Sequence, residues 1–244
     1  MNMHNPLEQF EIDVYVPMHI GPLDVSLTNA SVTMIGAVVL AIVLMWALTR
    51  KLKIIPHPAQ SIVESLYQFI QNMVESTIGS KGYAVIPFIF SLFIFILFGN
   101  LLGLFPYMFT FTSHLSIVGT IALLALVLSM VLGVYHKGLS WFHVFFPKGV
   151  PWLIAPIMIP IEIISFLSKP FSLTLRLVMN MTVGHIMLEV VAGFVFALGL
   201  AGFIPLLFTG VLILFELFIG VLQAYIYSIL SCIYLSEAFE GEND

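Results

Sequence analysis

Long uncharged apolar runs alternate with short polar segments along this chain of 244 residues. Residues 25–49 carry no charge, and the block 30–48 is long enough for one transmembrane helix. Arg50, Lys51 and Lys53 close it. A second uncharged stretch runs from Gly82 to His136, too long for one crossing and right for a hairpin of two. Gly103-Leu104-Phe105-Pro106-Tyr107 and the polar run Thr110 to Ser116 supply the break between its arms. The pattern therefore places spans at 30–49, 86–106 and 115–135.

Residues 59–78 differ from these spans. Ile62, Leu66, Phe69, Ile70, Met73 and Val74 share one helical face, while Glu64, Gln68, Gln71, Asn72 and Glu75 lie mostly elsewhere. That periodicity predicts an amphipathic helix on the inner membrane surface, with packing against a soluble partner as the alternative. Pro147, Pro151, Pro156, Pro160 and Pro170 then punctuate the chain and predict a broken or re-entrant entry. Residues 161–198 read helical apart from Pro170. Such a helix is roughly 55 Å long, against a hydrocarbon core of about 30 Å, so it must tilt strongly or bend at Pro170. A turn at 199–205 leads to a final helix over 206–236.

Composition agrees: 60% of residues are hydrophobic and 9% charged, against about 25% charged in soluble domains. The expected fold is an all-α integral membrane protein forming a single membrane domain over 1–244. Its parts are an outer segment 1–27, a span 28–49, an inner surface helix 58–80, a transmembrane hairpin 84–136, a long tilted hairpin 150–236 and an inner tail 237–244. Arg50, Lys51, Lys53, Lys81, Lys137 and Lys148 fall on one side of these spans, and residues 1–27 and 107–114 carry no lysine or arginine. The positive-inside rule then puts the N-terminus outside and the C-terminus in the cytoplasm or matrix. The N-terminal residues lack a basic n-region, so the first apolar segment is expected to be a retained span. Acidic residues cluster at the two ends, and no basic stripe suggests nucleic acid. A single cysteine, Cys232, excludes an intrachain disulfide framework and a thiolate metal site. No glycine loop for nucleotide phosphates is present, and no cofactor is expected.

Arg176 stands out against this background. Arginine stays protonated, and a fixed cation at membrane depth costs several kcal/mol unless it faces a cavity or a counter-charge. At 100° per residue, Glu162, Ser165, Lys169, Ser172, Arg176 and Asn180 fall in a stripe about 80° wide. Glu162 is the only carboxylate near that stripe and is distant from Arg176, which points to an external anion. His185 lies on the opposite side of the helix, with Glu189 one turn further and able to pair at i,i+4. On the final helix Glu216, Gly220, Gln223 and Tyr227 share a face. An embedded glutamate and a titratable histidine on adjacent antiparallel helices are what a proton relay needs. Glu189 either tunes His185 or faces the outer headgroups. A secondary transporter that binds an anion at Arg176 is the rival reading, disfavoured because no internal repeat is visible.

The run from Glu162 through Ser172, Arg176, Asn180 and Gly184 to His185 closely resembles the signature of subunit a of F-type ATP synthases, in its mitochondrial and alphaproteobacterial form. Glu216, Leu222-Gln223-Ala224-Tyr225 and Ile233-Tyr234-Leu235 resemble that family's last helix. Pro6 to Phe10, Gly99 to Tyr107, Thr112-Ser113-His114 and Gly149-Val150-Pro151 extend the likeness over essentially the whole chain. The resemblance implies a non-catalytic stator subunit beside a rotating c-ring, with subunit b of the peripheral stalk and other synthase subunits as partners, in a bacterial or mitochondrial inner membrane. It implies that Arg176 attracts the c-ring carboxylates and blocks leakage between two half-channels. The outer one would use Asn180, His185, Glu216 and Gln223; the inner one Glu162, Ser165 and Ser172. Leu173 and Met179 would pack on the ring. Val178-Met179 and the acidic Glu189 depart from the family's usual residues.

Overall fold

A computed structural model describes residues 12–17, 19–20, 23–24, 26–50, 53, 55–105, 109–145 and 155–239. The expectations placed on Pro6 to Phe10, Pro106-Tyr107, Lys148, Pro147, Pro151 and the end of the tail lie outside them. Among the described residues six α-helices follow four short strands: α1 (Asn29–Thr49), α2 (Pro58–Ile78), α3 (Ile86–Gly103), α4 (Leu115–Lys137), α5 (Ala155–Ala197) and α6 (Phe203–Phe239). All but α2 are helices long and apolar enough to cross a membrane, counting the 3-10 turn Ser80–Val85 with α3. The chain is a multi-pass membrane protein.

The helices lie close to where hydropathy put them. The N-terminal segment is less regular than an all-helical reading allows. β1 (Val14–Val16) pairs antiparallel with β4 (Leu27–Thr28), and β2 (His19–Ile20) with β3 (Leu23–Asp24). Pro17 denies this stretch a continuous helix, and its β-branched residues favour extended backbone. Thr28 ends it by capping α1, its hydroxyl accepting from the Ser31 N–H at 3.3 Å.

The chain folds as two compact units, each assembled from segments far apart in sequence. The first draws on residues up to Arg50, Ile94–Val118 and Arg176–Ala224. In it α1 buries Asn29, Ala30, Ala37 and Ala41, while Val32, Ile35, Val39, Ile42 and Val43 stay exposed. Small residues inside and large apolar ones outside suit a helix whose outer face meets lipid. Gly99 permits a close approach, since a Cβ there would lie 2.5 Å from the Phe111 ring.

The second unit comprises Lys51–Phe93, Gly119–Leu175 and Tyr225–Asp244. Here α2 buries Ile70, Met73 and Val74, and Gly79 at φ 82° ends the helix with its N–H on the Glu75 carbonyl. Ile62 at the other end of the same apolar face remains exposed. The core is a cluster of Leu126, Trp141, Phe166 and Tyr234, with Phe145 and Phe166 edge to face at 5.4 Å. Ser129 donates to the Tyr234 carbonyl, and Lys137 Nζ donates to the Glu237 carbonyl at 2.6 Å.

Pro160 and Pro170 do not break α5, which runs unbroken for 43 residues. The expected interrupted entry is corrected over the described residues. A proline removes the N–H that would serve the carbonyl four residues earlier. For Pro170 that carbonyl belongs to Phe166, and it accepts instead from the Tyr234 hydroxyl at 3.4 Å. Thr174 adds a bond from its own hydroxyl to the Pro170 carbonyl at 2.8 Å. Tyr234→Phe is therefore expected to lower stability by about 1 kcal/mol, because it leaves a buried acceptor without its donor. Thermal unfolding checks this. In a Pro170→Ala background, where the helix supplies its own donor, the same change should cost much less.

Candidate functional site

The first unit holds the titratable cluster. His185 projects from α5 and Glu216 from α6, with His185 Nε2 3.7 Å from Glu216 Oε1. Their pairing was legible in the sequence. Glu216 is only 4% exposed. The carboxylate fits because position 184 is glycine: a Cβ there would lie 2.7 Å from Glu216 Oε1 and 2.9 Å from its carboxyl carbon. Gly184→Ala is thus expected to push the carboxylate aside and slow any proton transfer at His185 by about ten- to a hundredfold. Folding should survive, because the atoms that must give way end a flexible side chain. Proton flux measured beside the amount of folded chain in the membrane checks this.

Two residues at this cluster were given no role by sequence reasoning. Thr110, between α3 and the 3-10 turn Phe111–Ser113, places its hydroxyl 3.0 Å from His185 Nε2. Asn100 on α3 donates from Nδ2 to the Gly220 carbonyl on α6 at 2.9 Å. Both are polar residues at 4% and 1% exposure in a membrane protein, so burial rather than periodicity reveals them. Thr110 and His185 are 75 residues apart, and nothing in the local pattern of either predicts the contact.

Buried side-chain atoms that lack a protein hydrogen-bond partner recur in this unit: Asn100 Oδ1, Thr112 Oγ1, His114 Nε2, Gln223 Oε1 and both carboxylate oxygens of Glu216. Such atoms are costly to bury dry and suit contact with water or exchanging protons. His114, in the loop before α4, stacks on Phe109 at 4.9 Å, and burial pushes its imidazole below the ordinary histidine range. Gln223, expected in the outer path, is buried on α6, and Asn180 is half-buried on α5. Glu189 is exposed on α5.

Arg176 lies exposed on α5. Among the described residues no carboxylate stands within ion-pair distance of it. Met179, Val183 and Met187 continue its face of the helix toward the C-terminus, and all are exposed. A permanent cation thus sits at the head of an exposed apolar face. The expectation that Leu173 also faces outward is corrected: Leu173 and Leu177 are buried at 5% and 1%. Leu173 and Leu177 lie about 60° and 100° to one side of Arg176 around the helix, whereas Met179 lies about 60° to the other, so it is the first flank that turns into the protein's own packing.

In the second unit Ser172 and Lys169 are exposed, and Glu162 and Ser165 on the same helix are both half-buried. Lys169 Nζ approaches Glu237 Oε1 of α6 at 3.9 Å. That ion pair was not foreseen. Among the described residues no group of three or more His, Cys, Asp or Glu side chains could hold a metal.

Known proteins share this sequence over nearly its whole length. A family model described as "ATP synthase A chain" matches residues 31–236. "ATP synthase subunit a" of Rhodospirillum rubrum is 46% identical over 238 residues, covering 97% of this chain and 98% of that protein. The protein of the same name from Paramagnetospirillum magneticum is 44% identical over 243 residues, covering 97% of this chain and 98% of the relative. One from Rhizobium leguminosarum bv. trifolii is 42% identical over 242 residues, with 96% and 97% covered.

Proposed function

This chain belongs to the ATP synthase A chain family, and from that premise we propose that it is the stator subunit that couples proton translocation to rotation of a c-ring. The single observation that carries the reading is Arg176, a fixed cation exposed on a membrane helix without a carboxylate mate among the described residues. A cation so placed favours the ionised form of any carboxylate brought against it. Rotor carboxylates passing Arg176 would release their protons there and could not carry them straight across.

His185, Glu216, Gln223 and Asn180 serve the outer half-channel. The buried polar atoms around Glu216 support a wet path on that side. Glu162, Ser165 and Ser172 serve the inner one, and Glu189 belongs to the outer mouth. The N-terminus faces outside, the C-terminus the cytoplasm or matrix, and α2 lies along the inner surface. At 43 and 37 residues, α5 and α6 are roughly 65 and 55 Å long and must lie inclined in a core of about 30 Å. Subunit b and the c-ring are its partners, and ATP chemistry takes place in other subunits.

Copurification tests this reading. The chain, tagged and extracted in mild detergent, should bring down an oligomeric c-ring, and the reconstituted complex should pump protons on ATP. Isolation as a ring-free carrier that exchanges anions would overturn it.

A further inference from the structure

We propose that Thr110 is a positioning residue for proton transfer, holding the Nε2 edge of His185 toward Glu216. The inference rests on the proton-path reading above and deepens it. Thr110 Oγ1 and Glu216 Oε1 both approach the same ring nitrogen, at 3.0 and 3.7 Å. The shorter contact, not the ion pair, therefore sets where that nitrogen points.

Thr110 is itself firmly held. Its carbonyl accepts from the Ser113 N–H at 3.1 Å and from the Ser113 hydroxyl at 2.6 Å. Its methyl group fills the space left by Gly103, where a Cβ would come within 2.7 Å of it. The side chain is 4% exposed, so its hydroxyl has little water to turn to. Donating to Nε2, it selects the neutral tautomer with the proton on Nδ1 and leaves Glu216 holding its own proton. When Glu216 passes that proton to Nε2, the hydroxyl turns and accepts from the imidazolium, since a hydroxyl can do either. The ring thus keeps its orientation through both states.

The titratable and charged groups on the surrounding elements are Glu216 on α6, Glu189 and Arg176 on α5, and His114 four residues beyond Thr110. No charged residue lies on α1 between Asn29 and Thr49. None of these replaces a hydroxyl already within hydrogen-bond distance of Nε2.

The test uses the complete synthase in membrane vesicles, with Thr110→Val, Thr110→Ser and Glu216→Gln compared for ATP-driven proton pumping across pH. Valine keeps the shape and removes both bonds, the one donated to the neutral ring and the stronger, charge-assisted one accepted from the imidazolium, so the protonated ring loses more. The pH profile should shift about one unit toward acid pH, the size expected for one hydrogen bond of about 1 kcal/mol. Serine should restore the parent profile. A valine variant with the parent profile overturns the proposal, and so does an equal loss at every pH in both variants, which would mark a packing role. If Glu216→Gln pumped normally, the proton-path reading itself would fail, a result distinct from either.

Discussion

Replacing Arg176 with alanine is expected to abolish coupled proton transport while the complex still assembles. The side chain is exposed and makes no ion pair with the described residues, so its loss removes no internal support. What disappears is the fixed positive charge on the face formed with Met179, Val183 and Met187. Removing one preorganised charge from a site where charge develops typically costs about a hundred- to a thousandfold in rate. ATP-driven pumping should fall by at least about that much. Lysine should not rescue it, because an ammonium can lose its proton when desolvated and lacks the planar fork. Pumping assays on Arg176→Ala and Arg176→Lys vesicles, beside immunoblots for assembled subunits, check both statements.

The second large effect is expected at Glu216. Glutamine preserves the side chain's shape beside Gly184, yet it cannot exchange a proton. Proton transfer by a positioned side chain contributes about a hundred- to ten-thousandfold, so Glu216→Gln should slow pumping by roughly a hundredfold or more. Glu189→Gln should matter far less, about twofold, because its carboxylate is exposed and solvent screens it. Because His185 and Glu216 share one site, the pH profile of pumping should report values that belong to the pair. Equal impairment in the two variants would move the outer path from Glu216 to Glu189.

The helices and the titratable pair were legible in the sequence for definite reasons. Transmembrane length and scarcity of charge mark α1, α3, α4 and α6, and an ionisable residue in such a run announces itself, as Arg176, His185 and Glu216 do. What stayed hidden depends on partners distant in sequence. Pro170 reads as a break until the Tyr234 hydroxyl is seen serving the Phe166 carbonyl. Leu173 and Leu177 cannot be told from Met179 by hydropathy, because in a membrane both lipid-facing and protein-facing positions are apolar. Thr110 and Asn100 were hidden for a different reason. They are ordinary polar residues in loop and helix, and only the contacts to His185 and Gly220 give them meaning.

The central claim is that the Arg176 face of α5 meets the rotor. Single cysteines placed at Met179 and Val183, exposed at 56% and 55%, test it against cysteines at Val39 and Val43 on α1, exposed at 52% and 53%. The native Cys232 is buried and should not compete. In the assembled complex, with a cysteine on the outer helix of the c subunit, the account predicts crosslinks from Met179→Cys and Val183→Cys and none from Val39→Cys or Val43→Cys. Crosslinks from α1 with none from α5 would contradict it.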